Sequence, residues 1–217
     1  MAIAFETSAG TQLTGSGSFN INCSGSDRYL IIATNPNVTA ISHNGTSLSV
    51  VHTYTPTFPS GTNCPPIKIW GLRNPDTGVQ SISVTIPSGA SFVCAVNYTG
   101  VAPGTIEAFY DEDSANNQVS SFSGTVSTIT PNAWRLMIVR GANSTADFTA
   151  GSSTSKRVSQ NGVLDGTLGI FDSNSAITTP GSGSLNMNWA SGSGFITTVT
   201  MSLSPVFITR GSCIQYL

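Results

Sequence analysis

Four of the chain's ten carboxylates lie within seven residues, at Glu107, Asp111, Glu112 and Asp113. A calcium ion takes about six to eight oxygen ligands, and Asp111, Glu112 and Asp113 with neighbouring carbonyls could supply several of them. The segment lacks the alternate acidic spacing and the downstream bidentate Glu of an EF-hand loop. We therefore expect a solvated acidic loop here, with a calcium site at Asp111, Glu112 and Asp113 as the alternative.

Other catalytic patterns are weaker in this sequence. Glycoside hydrolysis needs two carboxyl groups on opposite sides of the bond that is cleaved, and adjacent acids in one loop do not establish that geometry. The sequence has no Gly-x-Ser-x-Gly motif on a strand-to-helix turn, no phosphate-binding loop and no dinucleotide fingerprint. We predict that the protein is not an enzyme and needs no cofactor.

The two histidines, His43 and His52, lie on the two sides of Asn44-Gly45, a dipeptide suited to a type I′ hairpin turn. If one hairpin runs from Val38 to Tyr54, His43 pairs with Thr46 and His52 lies near Asn37. The two imidazoles would then be far apart, so we do not expect them to share a metal.

The cysteines and the tryptophans are predicted to be core residues and not members of a chemical site. Cys23, Cys64, Cys94 and Cys213 have no C-x-x-C spacing, which favours isolated buried thiols over a zinc or redox site and leaves a structural disulfide as the alternative. Trp70, Trp134 and Trp189 lie inside predicted strands, where we expect them to anchor the core. The candidates for surface contacts are the aromatic residues in or beside loops: Tyr54, Phe58, Phe109 and Tyr110.

Charge is scarce, with 8 Lys and Arg and 10 Asp and Glu in 217 residues and a formal net charge of −2. The sequence therefore offers no basic surface for nucleic acid and no polybasic patch for a membrane. It also contains no stretch of about 18 apolar residues that could span a membrane. The first residues do not resemble a signal peptide, so we expect synthesis in a cytoplasm. A neutral surface rich in hydroxyl groups is suited to protein contacts.

Short runs of β-forming residues closed by Gly, Pro, Asn or Asp recur along the chain, and none of its windows has convincing helical periodicity. In Gln80–Ile86 the apolar residues alternate with Ser and Thr, which predicts a strand covered on one face. The segment Trp134–Val139 is almost continuously apolar. It predicts a central strand covered on both faces, and a neighbouring chain is one source of that cover.

The strand spacing predicts an all-β protein, a single antiparallel β-sandwich formed by residues 1–205. Two longer connections interrupt it: a stiff loop at Thr55–Pro66 with four prolines, and a Gly/Ser/Thr-rich segment at Gly141–Ser155 that we expect to be mobile. No repeat of fixed period is visible. Residues 206–217 form an apolar C-terminal tail, either a final edge strand or a segment that docks on another subunit.

Several segments share a recognisable pattern: Asn44–Leu48, Ile67–Gly78, Val96–Val101, Gly169–Asn174 and the strand closed by Trp189, within roughly residues 5–205. Together they resemble a family of β-sandwich domains found in bacteriophage and bacterial surface proteins. The resemblance implies a jelly-roll-like sandwich with a structural or adhesive role and supplies no catalytic residues.

The resemblance and the neutral surface lead us to expect a bacteriophage virion protein on the particle exterior. A capsid decoration or cement protein is the first hypothesis. It would be made in the host bacterial cytoplasm and would act as a homo-oligomer or in many copies, with the major capsid protein or tail components as partners. A tail-fibre or receptor-binding module that recognises bacterial surface glycans is the alternative.

Overall fold

The computed structural model describes residues 2–56, 65–114, 120–142, 146–162, 166–190 and 195–206, with the backbone alone at 104, 105, 113 and 114. Seventeen strands are present in these ranges. They are β1 Ala4–Leu13, β2 Gly17–Cys23, β3 Tyr29–Thr34, β4 Ala40–His43, β5 Thr46–Ser47, β6 Ser49–Tyr54, β7 Ile67–Arg73, β8 Gly78–Thr85, β9 Ser91–Thr99, β10 Val101–Ser114, β11 Ser121–Thr128, β12 Trp134–Ala142, β13 Phe148–Ala150, β14 Ser155–Asn161, β15 Gly166–Asp172, β16 Gly181–Trp189 and β17 Ile196–Pro205.

The strands form four antiparallel sheets. The N-terminal inner sheet has the order β1-β9-β3-β7-β6 and the N-terminal outer sheet β2-β8-β4-β5. The C-terminal inner sheet has the order β10-β17-β12-β15-β14 and the C-terminal outer sheet β11-β16-β13. The predicted all-β antiparallel sandwich is confirmed. No helix in the described part of the chain is long and apolar enough to cross a membrane.

Three apolar clusters hold the sheets in layers. The central cluster lies between the two inner sheets and joins Ile31 and Val96 to Leu136 and Met201. A second cluster lies between the N-terminal inner and outer sheets, and a third between the two C-terminal sheets. The order of the layers is therefore outer, inner, inner, outer.

Each half of the chain is a jelly roll. Strand order 1-9-3-7 opposite 2-8-4-5 is the arrangement of two four-stranded sheets in that fold, with β6 added at one edge. The second half repeats it as 10-17-12-15 opposite 11-16-13, with β14 added at the corresponding edge. The sandwich thus consists of two jelly rolls that pack through their inner sheets.

The repeat extends to strand register. Tyr29 pairs with Tyr98 in the first half, and Trp134 pairs with Leu203 at the corresponding place in the second. A β-bulge follows Phe5 in β1 and another follows Ile106 in β10, so that Glu6 and Glu107 occupy the same bulged position. Bulges in β6 and β14 likewise make Val51 equivalent to Arg157.

Burial of individual strands agrees with most of the sequence pattern. In β8, Ile82 and Val84 are buried while Ser81 and Ser83 are exposed, as the alternation predicts. In β12, Leu136 faces the central cluster and Met137 faces the C-terminal cluster. This chain's own sheets therefore cover both faces of β12, and the cover does not come from a neighbouring chain.

Two of the sequence-based assignments are wrong. The hairpin from Val38 to Tyr54 is short, because only Ser42 and His43 pair with Ser47 and Thr46 before the chain crosses to the inner sheet. There His52 pairs with Ile69 and does not lie opposite Asn37. The acidic segment is also not a loop, since residues 107–113 belong to β10.

The C-terminal boundary follows the last strand. β17 ends at Pro205, and the Val206 N–H donates to the Gly100 carbonyl at 2.9 Å. Residues 207–217 lie outside the described part of the chain, so the tail stays a prediction. Most of the proline-rich loop, residues 57–64, also lies outside it, while the segment Gly141–Ser155 contains the short strand β13.

Candidate functional site

The repeat creates two equivalent junctions where the edges of the inner sheets meet. At one junction β1 lies against β14, and at the other β6 lies against β10. The side chains at the two junctions differ, and the difference defines the candidate site.

The β1–β14 junction is closely packed. The Ser8 hydroxyl donates to the Arg157 carbonyl at 2.8 Å. A Cβ added to Gly10 would come within 3.0 Å of Val158, so the strands approach as closely as a glycine allows. The Arg157 guanidinium lies 4.2 Å from the centre of the Phe5 ring. Together the two side chains fill the space between the sheets.

A buried ion pair completes this junction. Arg157 Nε donates to Asp172 Oδ2 at 2.6 Å and its Nη2 donates to Oδ1 at 2.9 Å. The Tyr98 hydroxyl donates to the same carboxylate at 2.7 Å, and the Asn174 N–H donates at 2.8 Å. Burial, together with the charge of Asp172, raises the pKa of Tyr98 well above its usual value, so this hydroxyl remains a donor.

The β6–β10 junction is open. Val51 takes the place of Arg157, Ile106 that of Phe5 and Gly71 that of Asp172. A groove of about 510 Å³ lies there. It is lined by Tyr29, Ser47, Ser49, Val51, Gly71, Leu72, Arg73, Ile106 and Phe109. We call it the junction groove.

The side chains of His52 and Asp111 lie beside the junction groove, next to its lining residue Phe109. His52 Nε2 lies 2.8 Å from Asp111 Oδ1 and 2.9 Å from Oδ2, which links β6 to β10. The His52 ring stacks on the Phe109 ring with centroids 4.4 Å apart and planes 13° apart. Both members of the pair are partly exposed, at 22% for His52 and 28% for Asp111.

The predicted surface aromatics have different positions. Tyr54 and Phe109 are half-buried against the central cluster, and Phe109 also lines the junction groove. Tyr110 is 49% exposed and lines a second cleft of about 350 Å³ beside β11. Phe58 lies outside the described residues. Of these predicted residues, Phe109 therefore lines the candidate site.

The calcium hypothesis has no cluster to support it among the described side chains. Asp111 faces His52, and Glu112 follows it in the strand and therefore points to the other side. The Asp113 side chain lies outside the described set. Where side chains are described, no three His, Cys, Asp or Glu residues lie close enough together to hold a metal ion.

Glu107 has a structural role at its bulge. Its carboxylate accepts the N–H groups of Ile129 at 2.8 Å and Thr130 at 3.0 Å, the Thr130 hydroxyl and the Ser204 hydroxyl at 2.7 Å. Burial acts to raise the pKa of Glu107, but these hydrogen bonds outweigh it and hold the pKa below its usual value. The equivalent Glu6 accepts the Ser24 hydroxyl.

The cations of the described chain bond to acceptors of the same chain. Arg73 Nη1 donates to the carbonyls of Val101 and Ala102, and Arg140, whose pKa burial lowers to about 10, donates to Pro66. The other cations have similar partners: Arg28 with Pro75, Lys68 with Val38, Arg135 with Gly181, Lys156 with Asp147 and Arg157 with Asp172. These charged side chains therefore bond to other parts of the same chain.

The remaining predicted groups belong to the core. Trp70, Trp134 and Trp189 are buried, which confirms their assignment as core anchors. Cys23 and Cys94 are buried free thiols, as predicted, and burial raises the pKa of Cys23 to about 11. Cys64 and Cys213 lie outside the described residues.

Comparison of the chain with protein-family models, with curated proteins and with solved structures finds no match in any of the three. The resemblance to phage and bacterial surface domains therefore stays a prediction, and function has to be argued from the side chains.

Sequence reasoning did not find the Arg157–Asp172 and His52–Asp111 pairs, whose members lie on separate strands. A weak signal was present in the two Glu residues that each follow one apolar residue, Phe5-Glu6 and Ile106-Glu107. These dipeptides mark the same bulge in the two halves. An alignment of the two halves of the chain on these dipeptides would bring equivalent positions together and show where the halves differ.

Proposed function

We propose that this protein is a structural component of the exterior of a bacteriophage particle, a capsid decoration protein present in many copies. It acts by contact, burying neutral surface against the shell and against its neighbours. The proposal rests on the resemblance given above and on the chemistry of the two outer faces.

Among the residues that the structure describes, the outward side chains of both outer sheets carry no charge. The outward side chains of the N-terminal outer sheet include Ser18, Asn20, Asn22, Ala40, Ser42, Ser47, Val79, Ser81, Ser83 and Thr85. Those of the C-terminal outer sheet are Ser121, Ser123, Thr125, Ser127, Thr149, Ser182, Ser184, Asn186 and Asn188. Short uncharged side chains lose little rotamer entropy and little hydration on contact, which favours dense packing of many copies.

The test is reconstitution. Shells that lack the protein are mixed with the purified chain, and bound protein is measured by sedimentation and gel densitometry. We expect saturable decoration in many copies per shell and increased resistance of the shell to heat. Absence from purified virions, or presence only at the tail tip, would exclude the proposal.

Charge placed on an outer face identifies the side that makes the contact. We expect Ser83→Glu or Ser184→Glu to weaken decoration by about tenfold or more, because a buried carboxylate without a partner opposes association. Thr53→Glu, at an exposed position on β6 away from both outer faces, serves as the control. Equal binding by all three variants would show that the outer faces are not the contact.

A further inference from the structure

The junction groove is a specific departure from the repeat. Its equivalent at the β1–β14 junction is filled by the Arg157 side chain and the Asp172 carboxylate. At the β6–β10 junction the same positions carry Val51 and Gly71. The Tyr29 hydroxyl occupies the space next to Gly71, and the groove of about 510 Å³ remains open beside these residues. A Cβ at Gly71 would come within 3.0 Å of both Val51 and Tyr29, so glycine permits the close approach of the Tyr29 ring.

The groove combines apolar walls with hydroxyl groups. Tyr29, Val51, Ile106 and Phe109 contribute carbon surface, and the exposed Ser47 and Ser49 contribute hydroxyl groups at the rim. Next to Phe109, the Asp111 side chain is 28% exposed, and its carboxylate oxygens can accept further hydrogen bonds.

The few charges around the groove do not select an ionic ligand. Arg73 is the lone cation among the described lining residues, and its Nη1 already donates to two backbone carbonyls, those of Val101 and Ala102. The carboxylate of Asp111, next to Phe109, balances that single positive charge, so the groove offers a phosphate, a sulfate or an acidic sugar no excess of positive charge.

We infer that the junction groove binds a neutral saccharide. A pyranose has an apolar C–H face, which suits Phe109 and its apolar neighbours, and a rim of hydroxyl groups, which can bond to the serines and to Asp111. The groove volume of about 510 Å³ is large enough for one or two sugar rings. This activity is separate from the proposed contact role of the outer faces, so each can hold without the other.

The test uses the purified full chain on an array of neutral glycans that includes maltose, cellobiose, lactose and chitobiose. The strongest ligand is then measured by isothermal titration. We expect saturable binding with release of heat. Binding to no neutral glycan, or to sialylated and sulfated glycans alone, overturns the inference.

Two variant pairs locate the site. Val51→Arg places in the groove the side chain that fills its counterpart, and Val50→Arg puts the same residue at an exposed neighbouring position outside the groove. Ser49→Tyr blocks the exposed rim without touching the core, and Thr53→Tyr on the same strand is its control. We expect both groove variants to lose affinity by about tenfold or more and both controls to stay within about twofold of the unmodified chain.

All four variants are first compared with the unmodified chain by near-ultraviolet circular dichroism, so that unfolded protein is not mistaken for lost binding. If Val51→Arg does not fold, the Ser49→Tyr and Thr53→Tyr pair still tests whether the saccharide binds in the junction groove. Unchanged affinity in Ser49→Tyr, or equal losses in Ser49→Tyr and Thr53→Tyr, would place the binding elsewhere and overturn the assignment.

Discussion

At the scale of single residues, the few charges of this chain stabilise irregular backbone. Glu107 fills a β-bulge and accepts the N–H groups of Ile129 and Thr130, which follow β11. The carboxylate thereby fixes the backbone just after the end of β11. The acidic cluster that suggested a cation site in the sequence therefore includes a residue that stabilises the fold.

Glu107→Gln should destabilise the protein by about 1–3 kcal/mol at pH 7, because a charged acceptor is lost and an NH₂ group faces N–H donors. The folded pKa of Glu107 lies below its ordinary 4.5. Its contribution is therefore fully present above the unfolded pKa and is lost as the pH falls through the folded pKa. Urea unfolding at pH 7 and near pH 3 measures the free energy of unfolding of the variant and of the unmodified chain. We expect the difference between these two free energies to be smaller near pH 3 than at pH 7.

Glu6→Gln is the matched control at the equivalent bulge. The structure shows the Ser24 hydroxyl as the donor to Glu6, so we expect a smaller loss of stability than at Glu107. Equal losses in the two variants, or a Glu107→Gln difference that is independent of pH, would contradict this account of the bulge.

At the scale of strands and sheets, a buried ion pair of the C-terminal half is bonded to the N-terminal half by Tyr98. Arg157 on β14 and Asp172 on β15 belong to the same inner sheet, and the Tyr98 hydroxyl on β9 of the other inner sheet donates to Asp172, so a hydrogen bond links the pair to the N-terminal half. Its burial makes it different from the Lys156–Asp147 pair, whose side chains are 32% and 43% exposed.

We expect Asp172→Ala to lower the free energy of unfolding by about 3–5 kcal/mol, because it leaves the mostly buried Arg157 guanidinium without its partner. Asp147→Ala removes one member of the exposed pair and should cost about 1 kcal/mol or less. Urea titration followed by circular dichroism measures both. If the two losses were the same, burial would not make the Arg157–Asp172 pair more important to stability than the exposed pair.

How far the sequence predicts this fold depends on the strand. Alternation identified β8 and continuous apolar residues identified β12, because burial on one or both faces leaves a direct pattern. The edge strands β1 and β10 were missed, since Ala4–Leu13 is rich in small residues and Val101–Ser114 contains Pro103 and a run of acids. Edge strands bury less surface and therefore carry a weaker pattern.

The candidate site was predictable in part. Phe109 and Asp111 were singled out by residue type, but their pairing with His52 depends on the crossing of β6 from the outer to the inner sheet. That crossing follows a turn at Asn44-Gly45 which in sequence resembles the centre of one long hairpin. Local pattern does not record which sheet a strand joins.

At the scale of the whole molecule, the two jelly rolls share one core. Ile31, Ile69 and Val96 of the first half are fully buried in a cluster that includes Leu136 and Val199 of the second. The repeat leaves little trace in the sequence, because most equivalent positions keep a direction of burial but not a residue type. Val51 and Arg157 illustrate this, as do Gly71 and Asp172.

A fragment of residues 1–100 should therefore not fold alone, because its inner sheet would expose an extensive apolar face to water. We expect this fragment to aggregate or to show an unfolded circular dichroism spectrum. The full chain should unfold in a single transition, with the same midpoint by circular dichroism and by tryptophan fluorescence. A soluble, cooperatively folded fragment would show that the central cluster is not needed by each half.

The layering of the sheets fixes a distance. Packed sheets lie about 10 Å apart, so four of them place the two outer sheets about 30 Å from one another. Their uncharged faces point in opposite directions across a solid apolar interior. A molecule of this kind is a rigid spacer with two chemically similar ends, able to hold two surfaces at a constant gap.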